Sequence, residues 1–404
     1  MAQTNSLIKL RTIAVKTLAQ IYNSDQSLDQ SLFEELTRGT SQTLPDFDRA
    51  WIYEICSGVL RYRGRLDYII DTYSLKKKPT GALRRYLEVG VFQLLAQDVA
   101  PALAVSESVT AITQSEGQAP AKFANALFRK VSDQREEWKS WTVNPQSPFD
   151  EQLAWCSLPE WMFKKLRKER GSEWVFAFSK ACLERPNTWY RELGKDEPLL
   201  LSEGYQGNEP KGYVQDISNQ MLVKQAIEVI RGSFTQPRIL DLCSAPGGKS
   251  LGLASAGLSV TATDLDEQRM QKVIENRARL GMNEQIKIIR HLEIWNQTGP
   301  ENLWDVIWLD APCSSSGIIR RHPEVKWNRT EKDLEKYVLK QKDLIQWAAA
   351  RLTPKGIMIY STCSVFAIEN PAVVPGFHEI SRFEALPQTA PHGDGILAGF
   401  FQKD

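Results

Sequence analysis

The sequence predicts a doubly wound α/β domain with a mostly parallel sheet in its C-terminal part, behind an all-helical domain and a short connector. Two observations carry this reading. Up to about residue 140, apolar residues recur at helical spacing and strand-like alternation is absent. From about residue 236, short apolar runs alternate with helical stretches, and the first run ends in a glycine-rich turn. A chain of 404 residues is too long for one ordinary domain, and the divisions read as 1–140, 141–235 and 236–404.

In the first part Leu7, Leu10, Ile13, Leu18 and Ile21 form one apolar stripe. Trp51, Ile52, Ile55, Cys56, Val59 and Leu60 form a second, and Leu83, Tyr86, Leu87, Val91, Phe92 and Leu95 a third. These predict a helical bundle. Helical spacing returns near Pro159–Leu166, whereas Arg185 to Gly212 is polar and punctuated by Gly and Pro, so 141–235 reads as a small α+β or irregular connector. Strands are then expected at Arg238–Asp241, Val260–Asp264, Ile286–Ile289, Val306–Asp310 and Ile357–Tyr360, with helices between them, for example Leu334 to Leu352. Such alternation implies right-handed crossovers.

Composition sets the class. Hydrophobic residues at 42% and charged residues at 25% describe a soluble globular protein. The net charge of +1 hides a local excess: residues 61–85 carry Arg61, Arg63, Arg65, Lys76, Lys77, Lys78, Arg84 and Arg85 against Asp67 and Asp71. Six scattered cysteines without a Cys-x-x-Cys pair argue against a metal site and against a disulfide scaffold. The polar start and the absence of any apolar stretch of roughly 18 residues predict no signal peptide and no membrane helix. A cytoplasmic protein with reduced thiols is expected.

The run Asp241-Leu242-Cys243-Ser244-Ala245-Pro246-Gly247-Gly248-Lys249-Ser250 follows the first strand, where ligands of such sheets bind. Gly247 and Gly248 let backbone approach a ligand closely, and the next helix N-terminus offers unpaired N–H groups. Cys243, Ser244, Ala245, Pro246, Gly247, Gly248 and Lys249 are therefore candidate contacts to a nucleotide-like cofactor, with Asp264 at the end of the second strand placed for a ribose diol. This is not a Walker loop, because position 243 holds cysteine where that motif needs glycine.

Two further motifs lie fifty residues apart: Asp310-Ala311-Pro312-Cys313 after the fourth strand and Ser361-Thr362-Cys363-Ser364 after the fifth. A free cysteine is usually a small buried hydrophobe. That suits Cys56, Cys156 and Cys182, but not two thiols in polar loops just past strand ends. Two such thiols beside a nucleotide-like loop suggest covalent chemistry at a base ring.

With the following Ser316-Gly317-Ile318-Ile319-Arg320-Arg321-His322-Pro323, Glu369-Asn370, Gly393-Asp394-Gly395 and Gly399-Phe400-Phe401, these motifs resemble those of the bacterial Sun/Fmu (RsmB-type) RNA 5-methylcytosine methyltransferases of the RsmB/NOP family. Leu10–Ala14, Arg61–Ile70 and Phe123–Leu127 are similar to the NusB-like RNA-binding domain of that family. The resemblance implies a Rossmann-like methyltransferase fold and S-adenosylmethionine as cofactor. It implies Cys363 as the thiolate that adds to cytosine C6, Cys313 as the group assisting release, and Asp310 as the carboxylate that holds or protonates the base at N3 and also borders the cofactor. Addition at C6 makes C5 nucleophilic, splitting one hard step into easier ones. The implied substrate is structured RNA, 16S rRNA first, with a monomeric protein and neither DNA nor membrane as partner. The same chemistry on tRNA or 23S rRNA, or a non-catalytic RNA-binding role in ribosome assembly, stays open.

Three expectations follow from particular residues. Arg320-Arg321 and nearby helix N-termini should lower the pKa of Cys363. His291 stands after the third strand where the family usually has an acid, so the adenine contact falls to His291 or to Glu293. The basic stretch 61–85, interleaved with Tyr62, Tyr68, Tyr73 and Tyr86, and the run Lys164–Lys168 should meet phosphates and bases, the target cytosine leaving its stack to react. The stretch Arg185–Gln215 looks shorter than the family's RNA-binding subdomain.

Overall fold

The helical stripes of the first part and the short apolar runs of the last become helices and strands in the places their periodicities indicate. The computed structural model of the chain describes residues 2–39, 44–74, 77–97, 99–194, 199–200, 212–296, 299, 302–371 and 373–404. Helices come first: α1 (Ala2–Asn23), α2 (Leu28–Gly39), α3 (Asp46–Thr72), α4 (Gly81–Ala96), α5 (Pro101–Glu116), α6 (Gln118–Asp133), α7 (Arg135–Lys139), α8 (Phe149–Cys156), α9 (Glu160–Arg170) and α10 (Ser172–Leu183). Then come β1 (Trp189–Glu192), β2 (Leu199–Leu200), β3 (Gly212–Val214) and α11 (Ile217–Ser233). The remainder alternates: β4 (Ile239–Asp241), α12 (Gly248–Ser255), β5 (Val260–Ala262), α13 (Glu267–Arg279), β6 (Ile286–Ile288), α14 (His291–Asn296) and β7 (Trp304–Asp310). It ends with α15 (Val325–Asn328), α16 (Glu331–Ala350), β8 (Leu352–Thr362), β9 (Phe377–Ala385) and β10 (Ile396–Lys403).

The chain divides into two units, Met1–Glu184 with His322–Thr330, and Arg185–Arg321 with Glu331–Asp404. The first division therefore falls inside the stretch expected as a connector. Helices α8–α10 go with the helical unit, and the small antiparallel sheet β2-β1-β3 goes with the other. Within the Arg185–Gly212 segment, residues 195–198 and 201–211 lie outside the described residues.

In the helical unit Ile52, Ile55, Cys56, Val59, Leu60, Leu66, Ile69 and Ile70 of α3 are buried in one core with residues of α1, α4, α5 and α6. Gly58 permits close approach of α3 and α4, since a Cβ there would lie 2.0 Å from the Phe92 ring. Its basic residues are spent internally, contrary to the phosphate-facing stripe expected of residues 61–85. Arg84 is paired with Asp67 and Asp71, and Arg85 meets Glu88 at 2.7 Å. The guanidinium of Arg63 lies over the Tyr22 ring at 3.9 Å, and that of Arg65 over Trp155 at 4.5 Å. Arg61 and Tyr86 are buried, and Tyr68 stacks on Trp141. A sequence run of cations says nothing of which side chains turn inward; here only Lys77 and Lys78 of the described basic residues are exposed, and Lys76 lies outside the described residues. On α9, Lys164 and Lys165 form i,i+4 pairs with Glu160 and Glu169.

The segment His322–Thr330 completes this unit although it comes late in the chain. Lys326 Nζ donates to the Arg61 carbonyl at 2.8 Å, and Trp327 Nε1 donates to the Leu60 carbonyl at 2.7 Å. Burial brings Lys326 down to about 7 despite the nearby Cys182 and Cys156 thiols, with Arg61 and Arg65 adding to the depression.

In the second unit the main sheet has the order β6-β5-β4-β7-β8-β10-β9 among the described residues. β4, β5, β6, β7 and β8 run parallel, and β10 pairs antiparallel with both β8 and β9. Successive residues of the parallel strands point to opposite faces, and both faces are buried. Ile239, Val306, Trp308, Ile357 and Ile359 pack against α11 and α12 on one side. Leu240, Ile307, Leu309, Met358 and Tyr360 pack with Ile294 and Trp347 on the other. The antiparallel strands were not among those expected from sequence. β9 is an edge strand of largely exposed residues, and Gly399 interrupts β10, so neither gives the signal that marked the others. From β4 the strand order runs outward both ways, and ligands of such sheets bind beyond the strand ends at that reversal.

Candidate active site

The loop after β4 is held open by specific bonds. Ser244 N donates to the Thr263 carbonyl at 3.0 Å, and Gly247 N to the Ser244 carbonyl at 2.6 Å. Gly247 has φ +101°, and a Cβ there would meet the Val273 methyls at 3.1 and 3.2 Å. A Cβ on Gly248 would lie 2.9 Å from Gln215 Nε2. Gly247 does not accept a side chain, and one at Gly248 would have to displace the Gln215 amide, so the loop presents backbone to the space beyond the strand. Asp264 is fixed by two backbone donors, Ala245 N at 3.1 Å to Oδ2 and Asp266 N at 3.0 Å to Oδ1, which leaves further acceptor capacity for a diol. Arg269 braces the Ala245 carbonyl at 2.8 Å. Cys243 packs against the core on the Leu240 side of the sheet, and burial, with the charge of Asp264, keeps it a thiol.

Beneath the loop Asp241 is fully buried. Its Oδ2 accepts the Ser250 hydroxyl at 2.6 Å, while Oδ1 has no partner. Burial pushes this carboxyl up to about 7; Ser250 and Lys249 oppose the shift and the charges of Asp310 and Asp264 add to it.

The ends of β7 and β8 bring the two thiols together. Cys313 Sγ and Cys363 Sγ are 3.3 Å apart. Cys313 is buried and Cys363 half-buried. Asp310, three residues before Cys313, takes Lys249 Nζ at 2.6 Å on Oδ2 and the Ser361 hydroxyl at 2.7 Å on Oδ1. Trp308 Nε1 in turn donates to Ser361 Oγ at 3.0 Å. The loop containing Lys249 and the strand ends bearing the thiols thus meet at one carboxylate.

The two thiols are driven apart in acidity. A hydrogen bond from the Cys313 S–H lowers Cys363, against the cost of burial and the charge of Asp310, and is helped by Ser315 and by the positive charge of Lys249. Cys313 is held well above the usual thiol range by that same bond to Cys363, by burial, and by the charges of Cys363 and Glu369. One sulfur is biased to thiolate and its neighbour to thiol. The arginines expected to do this are occupied elsewhere: Arg321 bridges Asp394 at 2.9 Å and Asp216 at 3.1 Å, and Arg320 donates to the His392 carbonyl. Their role is to brace the loop that leaves the site.

His291 and Glu293 part company in the structure. Glu293 is exposed. The His291 ring stacks on Trp295, its Nδ1 has no partner, and burial lowers its pKa while Asp264 opposes that shift. Of the two, His291 is the one within electrostatic reach of the Asp264 carboxylate.

Other participants either lie within the sequence motifs without a stated role, as Ser316, Gly317 and Ser364 do, or lie outside them, as Ser314 and Gln341 do. Ser314, Ser316 and Ser364 share hydroxyl contacts at 3.1–3.2 Å, and Gly317 N donates to the Cys363 carbonyl at 2.8 Å. Gln341 on α16 donates to the Pro312 carbonyl at 2.9 Å. A glutamine in a helix that otherwise reads as a solvated face gives no sign of this from sequence.

Residues 233–397 match the family model described as 16S rRNA methyltransferase RsmB/F, and residues 8–133 match that of the NusB family. A Citrobacter koseri protein named ribosomal RNA small subunit methyltransferase B is 30% identical over 410 residues, spanning 91% of this chain and 90% of that protein. A Salmonella arizonae protein of the same name is 29% identical over 422 residues, covering 94% and 92%. The crystal structure of PH0851 shares the fold at 19% identity, with a TM-score of 0.68 over 98% of this chain and 99% of that one. Identity of this level over nearly the whole length, with both domain models matched in order, makes the chain a member of the RsmB/F family of rRNA methyltransferases carrying an N-terminal NusB domain.

Proposed function

We propose that the protein methylates C5 of a cytosine in 16S rRNA, using S-adenosylmethionine, through a transient bond between Cys363 Sγ and cytosine C6. The observation that carries the reading is the pair of sulfurs 3.3 Å apart at the ends of neighbouring strands, one pulled down in pKa and the other pushed up. The names of the relatives support the substrate.

The residues divide the work. Backbone of the loop 243–249 and the Asp264 carboxylate hold the nucleoside portion of the cofactor, whose bound form supplies an electrophilic sulfonium methyl group. His291, within the field of Asp264, is the residue assigned to the adenine on this reading. Asp310, fixed by Lys249 and Ser361, holds the cytosine at its N3 edge. The Cys363 thiolate adds to C6, and the electron pair displaced from the ring makes C5 nucleophilic. Once the new C–C bond is made at C5, the C5 proton passes to a solvent water acting as base, and the electron pair it leaves at C5 expels Cys363 from C6. Cys313, buried beside Cys363, assists that release. The balance is one methyl gained and one proton lost at C5, with Cys363 returned as thiolate. The protein acts on this reading as a monomer in the cytoplasm, on structured RNA whose target base is extruded at a cost of a few kcal/mol.

The test is the C313A variant incubated with S-adenosylmethionine and transcribed 16S rRNA. A covalent protein–RNA adduct stable to denaturing gels is expected, and its absence overturns the two-thiol assignment. Bisulfite mapping of RNA from a deletion strain should show one 5-methylcytosine missing from 16S rRNA; a loss from tRNA or 23S rRNA instead corrects the substrate.

A further inference from the structure

Six residues beyond Cys363 the chain buries a carboxylate that the reaction above leaves without a task. Glu369 ends a short 3-10 turn, Ala367–Glu369, and is wholly inaccessible. Its Oε1 accepts Ser314 N at 2.8 Å and Gln341 Nε2 at 3.1 Å, and its Oε2 accepts the Ser314 hydroxyl at 2.6 Å. All three donors are neutral. Burying a carboxylate among neutral donors costs more than burying an amide or an aliphatic side chain, so the position needs a reason.

The donors supply one. Ser314 follows Cys313 directly, and Gln341 also binds the carbonyl of Pro312, which precedes it. The backbone carbonyl of Glu369 accepts the Tyr360 hydroxyl at 2.8 Å, fixing the turn to β8, the strand that leads to Cys363. Cys313 is therefore gripped on both sides from a point anchored to the strand of its partner thiol.

We propose that Glu369 is a positioning residue for the release half of the reaction: through Ser314 and Gln341 it holds Cys313 within reach of the ring while Cys363 is bonded to it. This rests on the two-thiol reading above. The charge of Glu369 also acts on Cys313 directly, after the Cys363 hydrogen bond and burial, to keep it a thiol.

The full-length E369Q variant tests it, with transcribed 16S rRNA and methyl-labelled S-adenosylmethionine. Glutamine keeps the shape but brings one acceptor oxygen to three donors. Turnover should fall roughly tenfold to a hundredfold, as expected for a misplaced reacting group. KM for RNA and for the donor should stay within about twofold, since uniform binding is untouched. A methylated protein–RNA adduct should accumulate, a partition between steps that a purely structural role would not produce. Wild-type turnover without adduct overturns the inference, and so does loss of methyl incorporation itself, which would put Glu369 in the attack step or in the fold. Should E369Q not fold, S314A carries the test: it removes one hydroxyl, and adduct should again accumulate with a turnover loss of about threefold. Unaltered behaviour of S314A then overturns the inference. A C313A control separates the failures. If C313A forms no adduct the two-thiol reading falls; if it does and E369Q does not, only the role of Glu369 falls.

Discussion

The helical unit and the sheet unit place their buried charges differently. In the first, several charges that leave water are paired: Arg84 has Asp67 and Asp71, Arg11 has Glu107 and Gln93, and the arginines of α3 lie against aromatic rings, while Lys326 and Glu88 are buried groups whose protonation is shifted there. In the second, charges gather with partners in short supply. Asp241 keeps an unpartnered oxygen and Lys249 shares its charge between Asp310 and the field felt by Cys363. A satisfied buried ion pair fixes a packing arrangement, whereas groups whose protonation is pushed away from the ordinary mark chemistry. The contrast is informative because sequence gave the opposite hint: the densest basic run lies in the helical unit, and most of it faces inward.

The contrast can be broken by substitutions that cross it. The largest effect belongs to C363A, which should lower methyl transfer by about a thousandfold or more, as loss of a nucleophile does, with the thermal midpoint unchanged. Retained activity would remove the sheet unit's claim to covalent chemistry. Next is R84M in the helical unit, which strands two aspartates and should cost about 3 kcal/mol in urea unfolding while activity per folded molecule stays within about twofold. A variant of full stability and no activity would reverse the assignment of the two units. D264N removes the charge of a fixed diol acceptor and should weaken S-adenosylmethionine binding about tenfold by calorimetry, without touching stability. Equal affinity would move the ribose contact elsewhere.

The smallest and sharpest effect concerns pH. Lys326 has its folded pKa brought down to about 7 from 10.5. Between those values the unfolded chain holds a proton that the folded chain lacks, so stability rises with pH, by at most about 1.4 kcal/mol per unit from one group. Burial raises Glu88 to about 8, which acts with the opposite sign below that pH, and raises Cys56 and Cys156, which do so above about pH 9, so the window is pH 8 to 9. K326M should flatten the rise in unfolding free energy across that window. An unchanged slope would show that Lys326 is protonated when folded.

Much of this was legible beforehand. The strands β4 to β8, the loop between β4 and α12, and the two thiols all announce themselves through local pattern, because period and turn chemistry are properties of neighbours in sequence. β9 escaped because an edge strand with exposed polar residues has no apolar face to signal. The fate of Arg63, Arg65 and Arg84 escaped because a charge run reads the same whether it turns outward or inward. Ser314 and Gln341 escaped, and Glu369 was visible only as part of a motif, because their bonds span 28 and 55 residues and form only when β7, α16 and β8 are side by side.

By itself the sequence determined which reactive groups stand at the ends of which strands, since alternation and turn residues fix where each strand stops. Only the tertiary structure set the two sulfurs 3.3 Å apart, brought Lys249 to Asp310, and placed the Glu369 carboxylate on Ser314 beside the second cysteine. Acidity and orientation depend on the atoms a few ångströms away in space, and those atoms come from distant parts of the chain.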